Sequence, residues 1–511
     1  MMEKTIKNSI IITIAQLITV MLSFMSRKVF VFYMDIEYLG YESLFSNILN
    51  ILSIAEMGIG NVIVYNLYRE IANNNIYEIK KFVNIYKIMY RYVAIIVTVA
   101  GLILVPFLPY LVSGELNAEW SYIRYIYYIQ LLGIVSSYFM SYRRTIFIAD
   151  QKEYKCAIYD TIGRVALQVL QIVILAFTQN FILYIWSKVV GNIIINFVVY
   201  CKSNSEYPYL KDSFKITLSD IKEKKIIQET KDFIVHKIAN AVYVASSNVV
   251  ISANLGIRMV ALYGNYYLLQ NTVLQIFLYK ILNPLKAAIG NLQYSEKDDS
   301  RKKDLFYMFS LIGTIIAIYV SICFLMLYQP FIIIWLGKDY LLQDSFVILT
   351  AISIYFQIAG EIIYMYRAAY GDYFYDRKYM VLSAAANLII AIALVNYIGI
   401  LAIPVAATVG MFFIILGRVK FVFWKIEYFE IKKYIKSFSW HMIIFAVNIA
   451  IACVASSFIS ADTIAGLIIS GIFAVIIPTV VMYISFRNSQ EARLLMGYVK
   501  RLINKIFKKV K

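Results

Sequence analysis

An all-α polytopic membrane protein of about fourteen transmembrane helices is the fold this sequence predicts, with two six-helix lobes around a central cavity and two further helices at the C-terminal end. Three observations predict it. Of 511 residues, 61% are hydrophobic and only 16% charged, and the mean hydropathy of +0.70 lies outside the range of ordinary soluble domains. The apolar residues come in runs of about 20 or more, the length that crosses the hydrocarbon of a bilayer as a helix. The cations are unevenly shared: 41 of the 49 Lys and Arg residues fall in every second connection, which is the signature of a chain threaded back and forth through a membrane.

The runs lie near residues 9–33, 41–67, 84–112, 121–148, 155–179, 182–201, 233–254, 261–285, 305–331, 346–369, 379–396, 399–423, 438–459 and 463–486. Their basic connections are the N-terminus, 69–91, 143–155, 202–237, 286–303, 367–378, 418–436 and the tail from Arg487. Cytoplasmic loops hold the excess of Lys and Arg, so both termini are expected in the cytoplasm and the span number is even. Lys4 and Lys7 precede an apolar run that is too long for a signal peptide and lacks a small-residue cleavage site, so this run is expected to stay as the first span.

The longest polar connection contains Pro208 and Lys222-Glu223-Lys224-Lys225 and reads as a linker between lobes. Residues 1–202 form the N-terminal lobe, 203–232 the cytoplasmic linker, 233–425 the C-terminal lobe, 426–487 the last two spans and 488–511 a basic tail. A short internal echo supports two lobes: Tyr38-Leu39-Gly40-Tyr41-Glu42 opens the second span, and Leu262-Tyr263-Gly264-Asn265-Tyr266 opens the eighth. Internal repeats of this kind put a substrate path between the two halves. In the tail, Leu495, Val499, Leu502, Ile506 and Val510 share one helical face among seven cations, a pattern that anchors a helix on an anionic leaflet.

Composition also excludes. The net charge of +18 is distributed as topology and not as a nucleic-acid face. Cys156, Cys201, Cys323 and Cys453 stand singly, without metal or redox spacing. With only His236 and His441 there is no multi-His metal centre, and no cofactor is expected. No phosphate-binding loop of the Gly-x-x-x-x-Gly-Lys type occurs. Outer connections such as 35–39, 178–180, 397–398 and 460–462 are too short to hold an active site, so the chain is not expected to be an enzyme.

What remains is a set of ionisable residues at membrane depth, where each costs roughly 2.5–3.5 kcal/mol on insertion scales and therefore faces a wet cavity, a partner or a substrate. Arg27 and Lys28 lie near the outer end of the first span and either snorkel to the headgroups or face the cavity; being about 100° apart on the helix, only one can face it squarely. Glu56, followed by Gly58 and Gly60, lies deep in the second span as a gating or counter-ion candidate. The glycines admit close packing or a bend. Asp160 and Arg164 share a face of the fifth span and can neutralise one another, with Asp160 a second counter-ion candidate and Arg164 a cavity candidate. Lys188 and Lys280 have no acid within a turn of their own spans and need a partner from elsewhere or an anionic ligand. Glu361, in the tenth span, is a third counter-ion candidate and a partner for Lys280.

The order Arg27-Lys28 followed by EYLGYESLFSNILNILSIAEMGIGNVIVYNLYRE, from Glu37 to Glu70, resembles the start of bacterial polysaccharide flippases of the O-antigen or capsule type. These belong to the multidrug/oligosaccharidyl-lipid/polysaccharide exporter superfamily. The resemblance implies two lobes rocking between inward-open and outward-open states in the bacterial plasma membrane. It implies a cationic cavity for the headgroup of an undecaprenyl-pyrophosphate-linked oligosaccharide, the lipid tail staying in the bilayer, and a first-span arginine lining that cavity. Arg27 matches that position, and its planar fork suits a pyrophosphate. Lys28, Arg164, Lys188 and Lys280 complete the candidate cationic set. A coupling ion and polysaccharide assembly proteins are the other expected partners. A drug/cation antiporter of the same fold would show buried carboxylates without cations, whereas here cations dominate. A polysaccharide polymerase would need a sizeable outer loop.

Overall fold

The computed structural model describes residues 2–113, 118–211, 243, 246–295, 298–369, 373–426, 429–460 and 462–510. Among the described residues every regular element is helical, as a chain in hydrocarbon requires, because a helix satisfies its own backbone N–H and C=O groups. In order the helices are α1 (Met2–Tyr33), α2 (Ile36–Leu52), α3 (Ile54–Ala72), α4 (Ile76–Leu104), α5 (Trp120–Ser141), α6 (Arg144–Ala149), α7 (Glu153–Thr178) and α8 (Phe181–Glu206). After the linker come α9 (Ile257–Leu274), α10 (Asn283–Ser295), α11 (Asp299–Trp335), α12 (Asp344–Ala359), α13 (Glu361–Ala369), α14 (Tyr373–Ile398), α15 (Ala402–Lys425), α16 (Ile431–Ser457), α17 (Ile464–Phe486) and α18 (Gln490–Val510).

The helices follow the apolar runs, but eight segments among the described residues are long and apolar enough to cross a membrane, fewer than the fourteen expected. The seventh run, 233–254, lies largely outside the described residues, and two other differences have physical causes. The second run is broken at Ser53, leaving a 17-residue α2 and a 19-residue α3. The Ser53 hydroxyl donates back to the Leu49 carbonyl at 2.9 Å, a bond that competes with the helix ladder and bends it. Conversely, α14 and α15 run on as one apolar segment, Arg377–Lys425, turned at Gly399 with φ +60°. The left-handed backbone there suits glycine.

The repeat in sequence has a counterpart in structure. The helix carrying Gly40 breaks at Ser53, and the helix carrying Gly264 passes into a π-helical stretch, Gln275–Leu282. The first falls at the middle of its span and the second toward the end of its own. π-helical turns are rare and concentrate at functional sites. The fourth and tenth spans are also interrupted, at Tyr142–Arg143 and at Gly360.

The chain divides into two compact units, 1–261 and 262–511, the boundary falling within α9. The expected linker, 203–232, lies largely outside the described residues. Its first residues are ordered: α8 continues to Glu206, and a 3-10 turn follows over Pro208–Lys211. The Tyr207 hydroxyl donates to Asp150 at 2.7 Å. Residues 246–261, expected with the C-terminal lobe, pack in the first unit, where Ser113 N–H donates to the Ser252 carbonyl and Ile257 N–H to that of Ser113.

In the first unit α1 lies along α7, and α5 and α7 both lie against α8. A Cβ on Gly40 would stand 2.3 Å from the Ile257 carbonyl oxygen, and one on Gly60 would stand 2.7 Å from the Tyr86 hydroxyl. Both glycines therefore serve close helix approach. In the second unit α16 and α17, the two appended spans, pack on α11, and Tyr355 stacks on Phe445 at 4.0 Å between centroids. The outer surface is apolar, with Phe177 and Tyr397 each 85% exposed, while Arg367 and Asn265 are fully buried. This inversion of the usual soluble pattern is what a lipid-facing bundle requires.

Candidate functional site

The first unit gathers its intramembrane charges around Glu42. Glu42 lies on α2, one turn beyond Tyr38, on the side of the helix that meets α8. The Lys188 ammonium on α8 donates to Glu42 Oε1, and both side chains are partly shielded, 37% and 15% exposed. Arg27 on α1 is half-buried and lies within electrostatic reach of Glu42 and of the Tyr184 hydroxyl. What holds α1 there is packing: Phe30, 1% exposed, meets Tyr184 and Phe181 of α8 edge-on at 5.0 and 5.9 Å. Lys28, one residue from Arg27, points to the exposed side, as the 100° step of the helix dictates. Two cations and one carboxylate thus share this corner of the unit.

Beside the pair is a cavity of about 220 Å³ between α2, α5 and α8, lined by Glu42, Ser46, Gln130, Ser137, Lys188, Asn192 and Asn196 with four apolar or glycine neighbours. Lys188, Asn192 and Asn196 are four residues apart and so form one stripe, about 12 Å long at 1.5 Å per residue. The Ser46 hydroxyl donates to Gln130 Oε1 at 3.1 Å. Gln130 is 8% exposed, and its amide nitrogen has no hydrogen-bond partner.

At the far end of the stripe, Asn196 Oδ1 accepts from Arg144 Nε at 3.2 Å and Nη2 at 3.0 Å. Arg144 also grips Asp160 bidentately, with both bonds at 2.7 Å. Asp160 was expected to pair with Arg164 on its own helix. Its partner is Arg144 instead, brought from the short α6 by the break at Tyr142–Arg143, and Arg164, one turn further along α7, is exposed. A planar fork on a carboxylate makes a better bond than two groups a turn apart on a helix surface, and the tertiary fold offers it.

The second unit has its own cluster. Lys286 on α10, Arg367 on α13 and Arg418 on α15 lie over the ring of Tyr364, at 5.5, 5.0 and 4.6 Å from its centroid. Glu361, expected to pair with Lys280, feels the charges of Arg418, Lys286 and Arg367. Arg367, which by sequence belonged to a basic connection, is completely buried. Lys280 lies on the π-helical stretch, and Glu56 on α3; the side chains of both, and His236, fall outside the described residues. Among the described residues no cluster of His, Cys, Asp and Glu is arranged to hold a metal ion.

Of the expected cavity residues, Lys188 lines the cavity and Arg27 lies within electrostatic reach of its partner Glu42, while Lys28 and Arg164 are exposed and do not line it. The sequence reading passed over Glu42, Gln130, Asn192 and Asn196. A signal was present: Lys188, Asn192 and Asn196 are polar residues at i, i+4 and i+8 within an apolar run, and such a stripe faces a polar space in preference to lipid.

No family model matches this chain, and no curated protein does. Solved structures match it in fold. The chain is similar to the lipid II flippase MurJ in an inward closed conformation, with a TM-score of 0.68 and 13% identity over 94% of this chain and 99% of that one. It is also similar to an inward-facing multidrug resistance MATE family transporter of the MOP superfamily, with a TM-score of 0.60 and 12% identity over 82% and 98%. A variant of the Vibrio cholerae MATE transporter VcmN follows, at a TM-score of 0.54 and 14% identity over 83% and 98%. At such identities the likeness is one of architecture: this is an all-α, multi-pass membrane protein that shares its fold with these flippase and transporter structures.

Proposed function

We propose that this protein is a flippase that carries undecaprenyl-pyrophosphate-linked oligosaccharide units across the bacterial plasma membrane, for export of a surface polysaccharide of the O-antigen or capsule type. The observation that carries the reading is the ion pair of Lys188 with Glu42 beside a polar cavity, with Arg27 within electrostatic reach of the same carboxylate. Two cations against one acid leave a positive corner, which lowers the cost of holding a pyrophosphate at membrane depth. Arg27 is the principal phosphate ligand in this reading, and Glu42 holds both cations until the substrate arrives. Glu42 thereby joins Glu56, Asp160 and Glu361 as a counter-ion. Lys280, on the irregular segment of the eighth span, is a further cationic candidate by sequence, its side chain falling outside the described residues. Lys28 and Arg164 are assigned no phosphate contact, since neither lines the cavity.

The MurJ neighbour, named as a lipid II flippase, is compatible with a lipid-linked substrate. Drug antiport is the second reading, since multidrug transporters share the fold. It wants a carboxylate left for a cationic drug, whereas Glu42 and Asp160 are both engaged by cations. Transport proceeds by alternating access, with the lipid tail left in the bilayer, both termini in the cytoplasm, and a coupling ion and polysaccharide assembly proteins as further partners. The deciding experiment is reconstitution into liposomes carrying a fluorescent polyprenyl-pyrophosphate oligosaccharide in the inner leaflet. The expected result is protein-dependent exposure of the sugar to an external lectin. Transport of ethidium without lectin exposure would favour the antiporter.

A further inference from the structure

We infer that the cavity between α2, α5 and α8 is a subsite for one sugar ring, taking the monosaccharide next to the phosphate while Arg27 and Lys188 take the phosphate itself. The inference rests on the flippase reading for the identity of the ligand, but its physical basis is independent of it.

Size comes first. Drug-sized ligands occupy sites of roughly 300–1,000 Å³, and the 220 Å³ here falls below that range while exceeding the ~30 Å³ share of a single water several times over. The volume suits a single ring.

Chemistry comes second. Sugar hydroxyls each donate and accept, so a site for them presents amides and hydroxyls in mixture and little net charge. The lining does so: Ser46, Gln130, Ser137, Asn192 and Asn196 supply both kinds of group, and its two charged members, Glu42 and Lys188, neutralise each other. The Gln130 amide is buried against the cavity with its nitrogen unpartnered, and its oxygen is already held by Ser46. The side chain is therefore fixed with its donor free, and a buried donor left so costs free energy that a ligand oxygen would recover. Among the described residues no aromatic ring lines the cavity, so the recognition inferred is by hydroxyl pattern and not by stacking.

Position comes third. Lys188 lines the cavity at one end of the Lys188–Asn192–Asn196 stripe and shares Glu42 with Arg27. A pyrophosphate bridging Arg27 and Lys188 would therefore leave its attached sugar beside Asn192 and Gln130.

The test uses the full-length protein in nanodiscs, which avoids glycoside detergents. Saturation-transfer NMR is recorded with the methyl glycosides of a hexose, an N-acetylhexosamine, a 6-deoxyhexose and a uronic acid. At least one is expected to receive saturation, with the signal falling at least threefold in both Gln130→Leu and Asn192→Leu; Asn192 is exposed, so its substitution does not threaten folding. No transfer to any of the four, or signals unchanged in the Asn192 variant, overturns the sugar subsite. Binding of farnesyl pyrophosphate is measured in parallel. Sugar binding without pyrophosphate binding would count against the flippase reading and leave the subsite standing, and the reverse result would do the opposite.

Discussion

Glu42 and Lys188 are 146 residues apart in the chain and joined by a direct ion pair within the first helical unit. Removing either partner leaves a charge uncompensated at membrane depth, whereas removing both does not. Glu42→Gln and Lys188→Met are each expected to lower stability by ~1–3 kcal/mol, and the double variant to lose less than the sum, a coupling in the range found for contacting residues. Arg27 softens the loss in Lys188→Met by retaining Glu42. Thermal unfolding of the four proteins in detergent checks the cycle, and strict additivity would remove the pair from the account.

Arg27 should matter more than its neighbour. Charge-assisted bonds contribute ~1.5–3 kcal/mol, so Arg27→Ala is expected to reduce translocation by roughly ten- to a hundredfold. Arg27→Lys should recover only part of it, because a point charge does not reproduce the fork. Lys28→Ala, at an exposed position, and Lys509→Ala in the tail should have little effect. Surface polysaccharide in cells with equal amounts of each variant in the membrane is the readout, and equal loss in Arg27→Ala and Lys28→Ala would contradict the assignment.

Asp160→Asn is expected to destabilise the first unit by ~2 kcal/mol, since it strips a bidentate partner from a three-quarters-shielded Arg144 and leaves that cation uncompensated. Arg164→Ala should stay within about 0.5 kcal/mol, as surface substitutions do. Chemical or thermal denaturation distinguishes this from a helix-surface pair, for which both variants would lose equally.

Gly40→Ala places a methyl group against the Ile257 carbonyl. Backbone cannot swing aside as a side-chain tip can, so a loss of ~1–3 kcal/mol is expected from overpacking. The contrast is Gly290→Ala, where a Cβ meets nothing within 4 Å; in a helix interior that change is neutral or stabilising by up to ~1 kcal/mol. Similar behaviour of the two variants would mean that Gly40 does not set the approach of α2 to α9.

Topology is checked in a cysteine-free background. Cysteines at Asn180 and Asp462 are expected to react with an impermeant reagent added outside cells, and cysteines at Ser205 and Asn488 only after permeabilisation; all four positions are exposed. The reversed pattern would invert the proposed orientation.

The sequence by itself determined the class of protein and the placement of its helices, because hydrocarbon imposes one rule on every segment: an apolar run of sufficient length becomes a helix. That rule is local, so α7 and α17 were legible to within two residues at each end, while α8 and α16 run five and seven residues further into the polar connections. It also marked Arg27 and Lys188 as charges in need of a reason. Tertiary structure alone decided what those reasons are. Glu42 meets Lys188, and Arg144 takes Asp160 from Arg164, because partners are chosen by which helix faces pack, and packing depends on small residues and breaks scattered over the chain. The interruption at Ser53 looks like an ordinary position in an apolar run, and the turn at Tyr142–Arg143 falls where an apolar run overlaps a basic connection. Each re-aims the helix that follows it, and the break at Tyr142–Arg143 brings Arg144 to the end of the stripe that lines the cavity.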